Sequence, residues 1–540
     1  MTARSAVKPA PYWLLAGLFL AVTAAWAYAV FVIDLDYWYH DNEFAELTMG
    51  YALNIDQWLT GSIGKGRRSI FNNYLSPAMP HQVAAWLAYR LSDGFNFRQA
   101  TDLAVATLGD PRAFFLFQRI VVLGFMLLAL YRFFRLARPL GLAAALAVTA
   151  SLLCYTSTWE YGVHFLSDPS MAPIVAALFF LALLKTLGQR EGLARPGAWI
   201  WLGFTGILAY SLKMHYAAWL LAAGGGLMAG LILGRFTWRQ AGIATLWVLL
   251  GMGLGLELLA FLLDGKFTHH DILKMFAFHF DIVMGQETKN LPGGGAEQAF
   301  AQTVSLDVFV PLALFALLSA GMAFSLFQRR QDAVFIRHHA PVAVTLFLAY
   351  AAGLIIFLKF PSLKYLVSSA VLLPAGVYWL LSMEESVRWR GGLCAALSAL
   401  AMVAAVQQIG IEKERKSLET VLRGERERIL ELPLAENEFR LWAYRVVMPE
   451  YNIRLAVQWG GDRSLDARVG DQVLPRDREY NVWRDMVRID RDWRNINDTS
   501  WRHAVLPGRL DEENLPGPFR GFGHKIAHFG DVSVITSNRP

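Results

Sequence analysis

Cysteine is almost missing from this sequence: there are two in 540 residues, Cys154 and Cys394, each inside an apolar run. That scarcity excludes a disulfide framework and a structural zinc site, both of which need sets of cysteines at defined spacings. Charge is scarce too, with 17% of residues charged, 55% hydrophobic and a mean hydropathy of +0.34. A soluble chain of this length needs more charge than that to cover its surface. The formal charge of +6 does not signal nucleic acid, because the basic residues are scattered among short loops rather than gathered on one face. No internal repeat and no low-complexity tract is visible. The basic N-terminus MTARSAVKPAPYW precedes a long apolar segment without a convincing small-residue cleavage site, which reads as a retained first helix rather than a signal peptide.

What the chain does have is apolar runs of about 20 residues, the length of a bilayer-crossing helix. They fall near 12–33, 113–134, 140–159, 168–187, 197–212, 216–234, 241–263, 307–327, 340–359, 362–382 and 391–411. Many of the 18 tryptophans stand beside the ends of these runs, where interface belts put them. With the N-terminus in the cytoplasm, the cytoplasmic ends carry Arg4 and Lys8; Arg132, Arg135 and Arg138; Lys185, Arg190 and Arg195; Arg235 and Arg239; Arg329, Arg330 and Arg337; Arg388 and Arg390. Each of those connections is short and basic, as the positive-inside rule requires, and one miscounted span would break the alternation. The pair 197–212 and 216–234, joined by SLKMHY, reads as two helices, since one broken helix would invert the charge pattern of all later loops.

The expected fold is therefore an all-α polytopic membrane protein of about eleven transmembrane helices with a small C-terminal α/β domain. Residues 1–411 form the membrane domain, with long extracytoplasmic loops at 34–112 and 264–306, and 412–540 the extracytoplasmic tail. The tail opens on IEKERKSLETVLRGERERILEL, a charged amphipathic helix pattern, and continues through RLAVQW and Gly-, Pro- and Asp-rich turns into strands. The localisation this implies is the cell's inner (plasma) membrane, with the N-terminus cytoplasmic.

The polar residues with chemical potential gather at the expected external face. Directly after the first run comes DLDYWYHDNEFAEL, with Asp34, Asp36, His40, Asp41, Glu43 and Glu46. Carboxylates at a bilayer boundary are costly unless solvated or used, and crowding raises one pKa toward that of a general base. An ordinary acidic loop capping the next helix gives the same string. Asp168 opens the fourth run as HFLSDPSMAP, near Glu160 and His164; Asp followed by Pro is also a good N-cap and first turn. Lys213, His215, His269, His270, Lys274, Lys359 and Lys364 supply cations on the same side. Each alone reads as a side chain snorkelling to the interface; together they suit a lipid phosphate. The string HHD at 269–271 admits a divalent metal only if first-loop acids complete the shell, and no resident cofactor is expected.

Four segments give this order a resemblance. HDNEFAELTMGYAL resembles the acidic segment after the first span of the GT-C superfamily of polyprenyl-phosphate-sugar-dependent glycosyltransferases, in the style of protein O-mannosyltransferases and lipid A aminoarabinose transferases. SPAMPHQVAAWLAYRL resembles the proline-bearing later part of that loop, with the Pro-Pro split as Pro77 and Pro80. SDPSMAPIVAALFFLALL resembles the family's Asp-Pro start of the fourth span, and LKYLVSSAVLLPAG its late basic-Tyr segment, here Lys364-Tyr365. The resemblance covers roughly 12–410 and leaves the tail unmatched. It implies a polyprenyl-phosphate-linked sugar donor entering from the bilayer, membrane lipids around it, an extracytoplasmic acceptor in the cell envelope, and an inverting displacement. Asp41 would be the base, with Asp36 and Glu43 as rivals and Asp168 orienting the acceptor. Lys213, His215, Lys364 and Tyr365 would hold the donor phosphate, with His269 and His270 as further candidates. The rival classes are a polytopic transporter, which usually places its charges at the midplane of repeated halves, and a nonenzymatic envelope-assembly protein.

Overall fold

The computed structural model describes residues 12–34, 52, 55–56, 79–94, 106, 112–163, 168–189, 195–264, 306–359, 363–383, 388–443, 477–483, 486–489, 492–494, 500–520, 524–530 and 532–537. The chain divides into two compact units: Met1–Val32, Arg68–Ser92 and Phe114–Gly410 form one, and Ile33–Arg67, Asp93–Ala113 and Ile411–Pro540 the other.

The first unit is helical. The described helices are α1 (Tyr12–Ala27, ending in a π turn at Tyr28–Ile33), α2 (Met79–Ser92), α3 (Arg112–Ala137), α4 (Leu142–Ser151), α5 (Thr156–Val163), α6 (Ala172–Thr186), α7 (Pro196–Leu212), α8 (Ala218–Ile232), α9 (Trp238–Asp264), α10 (Leu306–Gln328), α11 (Ala333–Lys359), α12 (Leu363–Ala370), α13 (Leu373–Met383) and α14 (Arg388–Leu430), of which α14 belongs to the first unit as far as Gly410. Among the described residues eight helical stretches are long and apolar enough to cross a membrane, and Leu142–Ser151 and Ala172–Thr186 are shorter apolar helices. All eleven expected runs carry helix, so the chain is a multi-pass membrane protein. Large apolar side chains on the spans, such as Leu221 at 77% and Ile232 at 79% exposed, point away from the bundle, as in a protein whose solvent is lipid.

Three runs differ from plain spans, each for a local reason. The run 140–159 breaks after α4, where the hydroxyls of Thr149 and Ser151 donate to the carbonyls of Ala145 and Val148; such back-bonding competes with the helix ladder. The late run breaks at Val371–Leu372 before Pro374, a residue with no N–H to donate. The Leu372 carbonyl accepts both the Gly376 N–H at 3.1 Å and Tyr350 Oη at 3.0 Å, and a Cβ at Gly376 would stand 2.2 Å from the Tyr350 hydroxyl oxygen, so glycine lets Tyr350 reach this carbonyl. The run from 168 starts as a 3-10 turn, Asp168–Met171, and the cap of α6 is Met171 with Pro173 in the first turn. The helix start read at Asp168 thus lies four residues further on.

Packing relies on small residues, as is common between helices in membranes. The α7 and α9 backbones meet where Gly203 faces the Val248 carbonyl and Gly251 faces the Ile200 carbonyl. The α8 and α11 helices meet at Gly226, opposite Thr345 and the Pro341 carbonyl.

In the second unit one seven-stranded mixed sheet has the order β4-β3-β2-β1-β5-β7-β6. Its strands are β1 (Phe439–Ala443), β2 (Asp477–Trp483), β3 (Met486–Ile489), β4 (Asp492–Arg494), β5 (Trp501–Pro507), β6 (His524–Phe529) and β7 (Val532–Ser537). Strand β1 pairs parallel with β2 and β5, and the remaining pairs are antiparallel. Alternation sends Leu441 into a cluster with Trp501, Ala504, Leu506, Leu515, Phe519 and Ile535. Trp442 faces the other way, against Ile429, Val505 and Val534, so the last turns of α14 cover that face. The charged helix expected at the start of the tail is continuous with the last span, 43 residues in all. The strand expected at RLAVQW lies outside the described residues.

Candidate active site at one end of the helical bundle

The junction between α7 and α8 decides the geometry. Lys213 is extended (φ −167°, ψ 148°), and Met214–Ala217 form a 3-10 turn. The SLKMHY knot therefore ends one helix and starts another, as its polar composition suggests. That break throws Lys213 and His215 toward the first turn of α12. The Lys213 Nζ stands 5.8 Å from the Tyr365 ring centroid. The His215 ring meets Tyr365 edge-on at 5.2 Å and lies against Tyr216 at 4.6 Å.

Below these rings Tyr216 packs edge-on against Trp219 at 5.2 Å, and Trp219 against Phe179 at 5.4 Å. Trp219 Nε1 donates to the Ser368 carbonyl at 2.8 Å, while Ser368 Oγ donates to the Tyr365 carbonyl at 3.0 Å. One buried indole thus ties the start of α8 to α12 and sets where Tyr365 stands. A cation over an aromatic face beside a buried imidazole, His215 being 7% exposed, is suited to an anionic oxygen group brought to the end of the bundle.

The 3-10 turn Asp168–Met171 packs against α2, α5, α6, α7 and α12, and α12 also packs against α5 and the Met214–Ala217 turn. The backbones that carry Asp168, Lys213, His215, Lys364 and Tyr365 are therefore neighbours, although their sequence separation reaches almost 200 positions. Half-buried Glu160 is on α5 in the same neighbourhood. Asp36, Asp41, Glu43, His269 and His270 lie outside the described residues, as does the HHD string; among the described residues no group of three His, Cys, Asp or Glu side chains is placed to hold a metal ion.

Sequence reading passed over the buried polar residues of two helices. Arg90 on α2 is 2% exposed, and Gln118 and Arg119 on α3 are 0% and 8% exposed. The α2 helix packs against both α7 and the Asp168 turn. In the sequence Arg90 stands in the last turn of α2, where a basic residue is ordinary, so its burial was not signalled.

Fold and site together define a polytopic helical membrane protein with a mixed C-terminal sheet and a cationic-aromatic cluster at one end of its bundle. No family model and no curated protein matches the chain. Among solved structures it is similar to ArnT from Cupriavidus metallidurans bound to undecaprenyl phosphate, at 12% identity and TM-score 0.49, over 98% of both chains. It is also similar to the apo oligosaccharyltransferase of Archaeoglobus fulgidus, at 12% identity and TM-score 0.41, over 98% of this chain and 75% of that one. The apo state of the same ArnT gives 13% identity and TM-score 0.35, over 97% of both chains.

Proposed function

We propose that this chain is a membrane glycosyltransferase that moves a sugar from a polyprenyl-phosphate donor to an acceptor hydroxyl on the extracytoplasmic side. The observation that carries the reading is the Lys213–His215–Tyr365 cluster beside the Asp168 turn. A donor of this kind leaves a lipid phosphate, and that departing charge needs fixed cations. Lys213, His215, and Lys364 and Tyr365 on α12 are the phosphate partners on this reading, with His269 and His270 from the long loop.

In the reaction the acceptor oxygen attacks the anomeric carbon as the bond from that carbon to the phosphate oxygen breaks. The electron pair leaves with the lipid phosphate, and the acceptor proton passes to a carboxylate. Asp41 is the proposed base, Asp36 and Glu43 its rivals, and Asp168 orients the acceptor; one displacement inverts the anomeric centre.

The test incubates purified protein with radiolabelled polyprenyl-phosphate sugars and an envelope extract as acceptor. Loss of the lipid-linked label, with release of the polyprenyl phosphate, is the expected result. A protein that leaves the lipid-linked label intact across the donor panel, yet moves labelled solute across proteoliposomes, would be a transporter instead.

A further inference from the structure

A second cationic site is built in the first unit where three helix connections converge. Arg235, in the turn between α8 and α9, donates through Nη1 to the carbonyls of Arg337 and His338 at 3.1 and 2.9 Å. Its Nη2 donates to the Gln189 carbonyl at 2.8 Å, and Arg195 Nη1 reaches Gln189 Oε1 at 3.3 Å. The turns after α6 and after α8 and the first turns of α11 are thereby drawn to one corner.

The other guanidiniums there are held in place. Arg329 lies 4.7 Å from the Phe335 ring centroid and Arg330 lies 4.2 Å from that of Phe327. The Arg337 guanidinium lies across Gly234, where an added Cβ would stand 3.7 Å from Nη2. Asp332, the one carboxylate described in these turns, accepts the Val334 and Phe335 amide protons on Oδ1 at 3.0 Å and so caps α11. Burial pushes Arg235 down to about 10, which leaves it charged at neutral pH.

The positive-inside rule accounts for the sign of these loops but not for their convergence or for ring-backed guanidiniums. Planar, pre-oriented guanidiniums suit phosphate oxygens. The apolar side chains around them point to an amphiphile rather than a free ion, since Ile232, Trp238 and Phe327 are 79%, 75% and 62% exposed.

We infer that this corner, formed by Arg195, Arg235, Arg329, Arg330 and Arg337, binds the phosphate headgroup of an anionic phospholipid while its acyl chains lie along the exposed ends of α8, α9 and α10. The inference rests on the membrane-spanning fold and stands apart from the glycosyl transfer.

The experiment titrates purified, delipidated protein in neutral detergent with phosphatidylglycerol, phosphatidylcholine or inorganic phosphate. Native mass spectrometry counts bound lipid and a thermal melt reads stability. Phosphatidylglycerol should bind and raise Tm while phosphatidylcholine and inorganic phosphate do not. Arg330→Gln/Arg337→Gln, both exposed positions, should weaken phosphatidylglycerol by about thirtyfold, because each arginine near an anionic lipid surface contributes about fivefold. The Arg330→Lys/Arg337→Lys pair retains most of the binding, and Arg132→Gln on α3 changes nothing. Equal response to the two lipids by the unmutated protein overturns the inference. So does a phosphate response matching that of phosphatidylglycerol, or a glutamine pair that binds as the parent does.

Discussion

The close approach of α7 and α9 sets up a sharp contrast between two alanine substitutions. A Cβ built at Gly203 stands 2.1 Å from the Val248 carbonyl oxygen and 2.9 Å from the Met252 nitrogen. Both are backbone atoms, so no side-chain rotation relieves the overlap. To reach ordinary contact at 3.4 Å the helices must part by about 1.3 Å at that point, and a gap of that order forfeits a large share of the dispersion along the seam. Overpacking of this kind costs about 1–3 kcal/mol, and the helix-propensity gain of alanine over glycine returns about 1 kcal/mol. Gly203→Ala should therefore destabilise by up to about 2 kcal/mol. Gly242 is on α9 with nothing within 4 Å of its Cβ position, so Gly242→Ala keeps only the propensity gain. The assay is thermal unfolding of detergent-solubilised protein, followed by fluorescence-detected size exclusion. Gly203→Ala should melt several degrees below the parent and Gly242→Ala at or above it. Gly251→Ala, whose Cβ would stand 1.9 Å from the Ile200 carbonyl, shares the seam and should not add fully to Gly203→Ala. Equal melting of Gly203→Ala and Gly242→Ala would refute the close-packing account.

Three further outcomes are expected. Asp41→Asn should lower transfer by at least about a hundredfold, the scale of a lost general base, while the protein still inserts and binds donor; parental rates in Asp41→Asn, Asp36→Asn and Glu43→Gln alike would remove the first loop from catalysis. A reporter fused at the C-terminus and active only in the cytoplasm should stay silent, because the basic connections assign the tail to the other side. In the tail, buried His503 bonds the Pro433 carbonyl through Nε2 and the Thr536 hydroxyl through Nδ1, each at 3.0 Å, and burial holds its pKa below the usual histidine value, with Arg440 and Arg502 acting in the same direction. The unfolded chain then binds the proton first, so the stability from this residue is complete above pH ~6.5 and is lost as pH falls toward the lower folded value. Hydrogen exchange of β5 and β7 in the full chain should quicken across that window and lose the dependence in His503→Asn; unchanged acid sensitivity in that variant would assign it to other groups.

The membrane class of this protein was determined by composition and periodicity alone, because backbone groups in lipid must be satisfied within each segment and the hydropathy of each run reports that directly. The split at SLKMHY was legible for the same reason, since an extended Lys213 costs nothing where polar residues already interrupt the run. The sheet of the tail was legible as a class, whereas its parallel β1–β2 and β1–β5 pairings depend on contacts between strands distant in sequence. Breaks such as the one after α4 escaped the sequence reading, because hydroxyl back-bonding weighs little in an apolar average. The site itself divides along the same line. Residue type and membrane depth picked out Lys213 and His215 one by one, each with an ordinary explanation of its own, and Tyr365 entered only through the resemblance of its segment. Their meeting depends on Trp219 reaching the Ser368 carbonyl across 149 residues and on glycine contacts that fix which helices touch. Those are relations between surfaces that one-dimensional hydropathy does not encode, so only the tertiary structure decided which of the cations share a neighbourhood.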